Sequence, residues 1–258
     1  MLERCRDVNA DTFVHRIRAI EADLIIVAGC PHILRQPIRE AARWGVLNFH
    51  PSLLPDYRGR QPLFWAILND ERRVGVTLYW MTDEVDAGPI LLQHEVCVPA
   101  DATSASLARA VDRVACTVVP RVVEWLREGA LPSGRVPLEH GSRYPPLREL
   151  DGHIHWARPA AEINRRVRAC SGEIEAYSHH RSARIIIRET TLVPTPYSTR
   201  GCPGEILSIE GDGFVVATAD GALRVTGWHL SNGVHAAEEL AAWLPLKVGA
   251  QLGVSVRT

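Results

Sequence analysis

Two short apolar runs separated by helical material restrict this chain more than any other feature. "DLIIVAG" (23–29) is a continuous aliphatic run closed by glycine, and "VLNFH" (46–50) is a second run. Short runs without polar alternation fit strands buried on both faces, as in a parallel sheet. Parallel neighbours need a crossover of about a dozen residues, usually a helix. "PHILRQPIREAARWG" (31–45) supplies it, interrupted by Pro37 and ended by Gly45. Residues 23–50 are therefore expected to form a β-α-β unit, which makes the front of the chain α/β.

The flanking segments extend this pattern. "NADTFVHRIRAI" (9–20) predicts a helix capped by Asn9 or Asp11, with Phe13, Ile17 and Ile20 as its apolar stripe. "PSLLPDYRGRQP" (51–62) is a loop held at Pro51, Pro55 and Pro62 and opened by Gly59, followed by a short helix over 63–71. "VGVTLYWM" (74–81) and "ILLQHEVCV" (90–98) predict a hairpin whose long turn is "TDEVDAGP" (82–89). After the capping candidate Thr103, Leu107, Val111, Val114, Val118, Val122 and Trp125 recur every three or four residues up to Gly129, which defines the clearest helix. Residues 131–150 are rich in Pro and Gly and read as a linker packed over the surface. Beyond them a helix (159–170) precedes short strands with Gly-containing turns, the pattern of a small β-barrel or half-barrel. The expected organisation is an α/β domain over 1–130, the linker, and a smaller β domain over 151–258.

Composition excludes several classes. A net charge of −1 over 258 residues gives no overall attraction to a phosphate backbone. No apolar run reaches the ~18 residues that cross a bilayer. The start "MLERCRDVNADTF" is polar, and the six cysteines contain no Cys-x-x-Cys pair. Reduced thiols in a cytoplasmic protein are the expectation, with Cys97 and Cys116 buried among apolar neighbours. His153 and His155, and the adjacent His179 and His180, lack companion ligands at metal-site spacing, so no metal is expected.

Asn48 and His50 are the candidates to carry chemistry. They alternate onto one face of their strand, at the edge of a parallel sheet where ligands bind. Asp86, in the turn "DEVDAG", can fix the His50 tautomer and raise the basicity of the other ring nitrogen. An asparagine amide beside such a histidine can donate to a developing oxyanion. The trio suits attack by an amine on a carbonyl; the competing reading is a polar strand end whose side chains cap the next loop.

"NFHPSLLPDYRG" (48–59) followed by "VGVTLYWMTDEVDAGPILLQ" (74–93) resembles the core of the formyltransferases that use N10-formyltetrahydrofolate. The resemblance rests on Asn48-x-His50, the Ser52–Pro55 loop and the Asp86–Gly88 turn, in order. "DGHIHWARPAAEINRRVRAC" (151–170) is similar to the opening of that family's C-terminal domain. The resemblance implies a Rossmann-like parallel sheet, truncated at its front, with a small C-terminal β-barrel. It implies His50 as general base, Asn48 as oxyanion donor and Asp86 as the carboxylate that orients His50. N10-formyltetrahydrofolate would be the formyl donor, its pterin held near Ile33, Leu34, Met81, Asp83, Val85 and Asp86; core packing is the equal alternative for Ile33 and Leu34. Ser52, Leu53, Tyr57, Arg58 and Gln61 would line the acceptor side, with Arg58 and Arg60 facing a phosphate or simply solvent.

The family usually begins with further strand-helix units that this chain does not show. The strand at 23–29 is therefore expected at a sheet edge, with a second copy as one way to cover it. The acceptor implied is a primary amine of a small molecule, an amino sugar nucleotide or a natural-product or siderophore amine. Transfer to methionyl-tRNA is the alternative, though tRNA is not the expected partner. Hydrolysis of the formyl donor and an inactive folate- or partner-binding chain are the other readings.

Overall fold

The structure, a computed structural model, describes residues 4–137, 141–194, 201–211, 213–231 and 246–253. The chain forms two compact units. The first holds residues 1–66, 72–99 and 107–146, and the second 67–71, 100–106 and 147–258.

The first unit contains α1 (Asp11–Ala19), β1 (Ile25–Ala28), α2 (Gln36–Arg39), β2 (Val46–His50), β3 (Arg58–Gly59), most of α3 (Pro62–Leu68), β4 (Arg73–Trp80), β5 (Ile90–Cys97), most of α4 (Ser104–Arg127) and β6 (Arg143–Tyr144). Its main sheet runs β1-β2-β4-β5. The β1–β2 pair is parallel, as the crossover requires, and β4 and β5 add antiparallel to it. Most of the predicted 31–45 crossover is not helical. Pro37 stands in the first turn of a single-turn α2, and the chain then runs to Gly45, whose positive φ of 94° turns it into β2.

Asn9 does not cap α1. It ties down the loop before α2 instead, donating to the Ile33 carbonyl at 3.0 Å and accepting from the Arg35 amide at 2.7 Å. The cap expected at Thr103 is present and reciprocal: Ser106 N–H donates to Thr103 Oγ1 at 3.1 Å, and Thr103 N–H donates to Ser106 Oγ at 2.9 Å. Leu107, Val111, Val118, Val122 and Trp125 of α4 are buried, while Val114 is half-buried. β1 lies at the sheet edge with Ile26 43% exposed. Burial of Cys97 and Cys116 is not observed. Cys97 ends the opposite edge strand, Cys116 faces outward from α4, and both thiols are exposed.

The second unit contains a 3₁₀ turn (Glu149–Gly152), α5 (Ala160–Ala169), β7 (Ala176–His180), β8 (Ala183–Leu192), β9 (Ile206–Glu210), β10 (Gly213–Ala217) and β11 (Ala222–Leu230). The strands form one antiparallel sheet in the order β7-β8-β11-β10-β9. Among the described residues no ladder joins β7 to β9, so the expected barrel is an open sheet there. α5 covers one face. Its Ala160 N–H is capped by Asp220 at 2.8 Å, and Asn164 donates to the Thr190 carbonyl at 2.8 Å. Ile185, Ile186 and Ile187 are all buried, a continuous run that marks the centre of this core.

Candidate active site

The site grows from the pairing of β2 with β4. Asn48 lies directly opposite Tyr79, and His50 opposite Thr77. All four side chains therefore share one face of the sheet. Tyr79 is fully buried and bridges two of the predicted residues. Its hydroxyl donates to Asp86 Oδ1 at 2.6 Å and accepts from Asn48 Nδ2 at 3.1 Å. Because its one proton is spent on Asp86, the bond from Asn48 has to come from the amide nitrogen. This fixes how the Asn48 amide is turned and leaves its second N–H for another oxygen. Burial first, and then the Asp86 charge, push the Tyr79 phenol far above its ordinary range, so it stays a donor.

Asp86 is 9% exposed and reaches the site from a backbone with a positive φ of 54°. Gly88 allows this turn. A Cβ there would fall 1.7 Å from the Trp80 carbonyl oxygen. The second oxygen of Asp86 accepts from the Gly59 amide at 2.8 Å and lies 3.7 Å from His50 Nδ1. That distance is an ion-pair contact, longer than a hydrogen bond. His50 is 5% exposed, and its Nε2 donates to the Tyr57 carbonyl at 2.9 Å, since a carbonyl can only accept. The neutral ring consequently carries its lone pair on Nδ1, facing a carboxylate. A proton taken up at Nδ1 would sit between nitrogen and Asp86, while the other N–H rests on Tyr57.

Thr77 and Ser52 hold the adjoining loop rather than a ligand. Thr77 Oγ1 donates to the Ser52 carbonyl at 2.7 Å and accepts from the Leu54 amide at 3.1 Å. Ser52 is buried and its hydroxyl donates to the Asp56 carbonyl at 2.7 Å. Leu53 packs on Gly75, where an added Cβ would meet it at 2.4 Å. The hydroxyl of Ser52 and the side chain of Leu53 are thus engaged within the protein.

Tyr57 and Gln61 are half-buried, each with a left-handed backbone, at φ 58° and 51°. The Arg58 side chain is mostly buried. It pairs with Glu84 at 3.3 Å, and its buried Nε has no hydrogen-bond partner among the described residues. Leu34 is buried with Val14, Ile38 and Val46, so core packing accounts for it. Ile33, by contrast, is 70% exposed. Met81 is half-buried between two core clusters, and its amide donates to the Val46 carbonyl at 2.9 Å. Asp83 projects into solvent and pairs with Arg39, while Val85 is half-buried. Asn48, His50 and Asp86 are thus brought together, with Tyr79 joining them. Ile33, Leu34, Met81, Asp83 and Val85 lie along the segments before β2 and after β4.

Residues 4–123 match the family model described as formyl transferase, and residues 146–241 match that of the formyl transferase C-terminal domain. The chain belongs to the formyl transferase family. Membership places it among enzymes that transfer formyl groups, with folate-dependent one-carbon transfer as their chemistry. A methionyl-tRNA formyltransferase of Moorella thermoacetica is 31% identical over 222 residues, which cover 85% of this chain and 70% of that one. HypX from Aquifex aeolicus, in a crystal structure with tetrahydrofolic acid, superposes with a TM-score of 0.72 at 22% identity. The match covers 95% of this chain and 42% of HypX, so the chain spans less than half of that protein. An N-formyltransferase from Helicobacter canadensis, solved with folinic acid and dTDP-3-aminofucose, gives a TM-score of 0.56 at 18% identity, covering 77% of this chain and 71% of that one. At these identities the two structures show a shared fold. Among the described residues no group of three or more His, Cys, Asp or Glu side chains is placed to hold a metal, and no helix is long and apolar enough to cross a membrane.

Proposed function

We propose that this chain moves the formyl group of N10-formyltetrahydrofolate to a primary amine of a small molecule, such as an amino sugar nucleotide or a natural-product amine. The observation that carries the reading is the buried cluster in which Tyr79 links Asn48 to Asp86 while Asp86 faces His50 Nδ1. The amine nitrogen attacks the formyl carbon. Asn48 donates its remaining N–H to the oxygen that gains charge, a contribution of about 10²–10³ in rate. His50 Nδ1 takes the amine proton, worth roughly 10²–10⁴, and Asp86 stabilises the resulting imidazolium. The bond from the formyl carbon to the folate nitrogen then breaks. That nitrogen takes the proton that His50 accepted, which returns His50 to its neutral form, and tetrahydrofolate and a formamide remain.

Charge supports a small acceptor. Residues 147–258 contain twelve Arg and Lys against twelve Asp and Glu, a net charge of zero, where a tRNA-binding surface calls for a basic excess. Transfer to methionyl-tRNA is the second reading. It is favoured by the relative of that name and by the match to the C-terminal domain model. Incubation with N10-formyltetrahydrofolate and either a panel of small amines or methionyl-tRNA separates the readings. A small formamide supports the first, formylmethionyl-tRNA the second. Free formate alone, or no product, refutes both.

A further inference from the structure

The geometry points to residues 141–144 as a positioning element for the His50–Asp86 pair. The inference rests on the reading above, in that this pair acts on the reacting groups. Neither His50 nor Asp86 is held by its own strand or turn alone. Both are bonded to the backbone of one short segment: the Tyr57 carbonyl accepts from His50 Nε2, and the Gly59 amide donates to Asp86 Oδ2. That segment has an unfavourable backbone of its own. Tyr57, Gly59 and Gln61 all have positive φ, at 58°, 102° and 51°. For the two non-glycine residues this is a sterically unfavourable region, because Cβ crowds the following carbonyl. Such a conformation persists only where its surroundings impose it.

Residues 141–144 impose it. Ser142 Oγ accepts from the Tyr57 amide at 2.9 Å, and the Ser142 carbonyl accepts from the Arg58 amide at 2.9 Å. The Ser142 amide and hydroxyl both donate to Asp56 Oδ1, at 2.9 and 3.1 Å. Three consecutive amides, 57 to 59, are thus spent: two on Ser142 and one on Asp86. β6 lies parallel to β3, with Arg143 beside Arg58 and Tyr144 beside Gly59. The Tyr144 ring stacks between Tyr57, at 4.9 Å and 10°, and Trp65, at 5.1 Å and 24°. Two glycines let the backbones meet. A Cβ on Gly141 would fall 1.9 Å from the Pro55 carbonyl oxygen, and one on Gly59 would fall 2.6 Å from that of Tyr144. A shift of Ser142 or Tyr144 reaches His50 and Asp86 through one or two residues of backbone.

The test combines kinetics with a signature that does not depend on turnover. In histidine labelled with ¹⁵N, the hydrogen-bonded Nε2–H of His50 gives a proton resonance protected from solvent exchange. Ser142→Ala should abolish that protection and lower kcat about ten- to hundredfold, the loss typical of a misplacement near 1 Å. KM for the formyl donor should change less than about threefold, because this contact acts on orientation and not on binding. Ser142→Thr, which keeps the hydroxyl, should restore both, and Tyr144→Ala should repeat the defect where Tyr144→Phe does not. Unchanged protection overturns the inference, whether or not kcat falls. So does lost protection with full kcat. If the wild-type protein formylates no acceptor yet Ser142→Ala abolishes the protection, the positioning stands and the transfer reading fails.

Discussion

Tyr79→Phe removes one oxygen atom and two hydrogen bonds from the centre of the cluster. Among the described residues Asp86 would keep one hydrogen-bond donor, the Gly59 amide, for a buried carboxylate. Losing a bond to a charged group costs about 1.5–3 kcal/mol, and the neutral bond from Asn48 adds about 1 kcal/mol. A stability loss of about 2.5–4 kcal/mol at neutral pH follows, read from the urea midpoint of unfolding. The catalytic effect is separate. Without the Tyr79 oxygen the Asn48 amide is free to rotate, and single-turnover formamide formation should slow by about 10- to 100-fold, toward the limit set by loss of an oxyanion donor. Since burial and Asp86 hold the phenol protonated far into the alkaline range, the wild-type rate should show no alkaline fall traceable to Tyr79. A variant with wild-type stability and a rate within about twofold of wild type would refute the bridging role.

Other outcomes are expected. Gly88→Ala puts a methyl group against the Trp80 carbonyl and displaces the turn that carries Asp86, so it should cost on the order of 2 kcal/mol or more and lower the transfer rate. Burial, with some help from Asp151, pushes the Cys170 thiol up to about 12. A thiol reagent near neutral pH should therefore label the exposed Cys5, Cys97, Cys116 and Cys202 and leave Cys170 until the protein unfolds. Burial first, then His155 and His179, depress the His153 pKa. The unfolded chain then binds more protons just below the ordinary histidine value, and stability is lost as pH falls through that window. His153→Gln should reduce the drop in urea midpoint between about pH 7.5 and about pH 5.5 relative to wild type.

Period and register made part of the site legible in the sequence. Alternation along 46–50 placed Asn48 and His50 on one face, and the hairpin over 74–98 placed Asp86 in the next turn; both features are local. Tyr79 was not legible, because within "VTLYW" an aromatic residue reads as core. The signal was there in the register: Thr77 and Tyr79 share the two-residue spacing of Asn48 and His50, and antiparallel pairing sets the couples opposite each other. Residues 141–144 read as surface linker because they have no periodicity. Their role comes from a contact some 85 residues away in sequence, which no local pattern encodes. The crossover over 31–45 misled for a related reason. Pro37 confines α2 to a single turn, and Asn9 holds the loop before it through the backbone of Ile33 and Arg35.

The proposed mechanism has an amide, an imidazole and a carboxylate act together on the carbon being transferred. It is tested most directly by a single turnover with isotopically labelled N10-formyltetrahydrofolate and an accepted amine, comparing wild type with His50→Ala and Asn48→Ala. Each variant should lose about 10² or more in rate while still binding the folate, because these groups serve the transition state. Variants that transfer label at the wild-type rate, or that lose rate only through weaker folate binding, would contradict it.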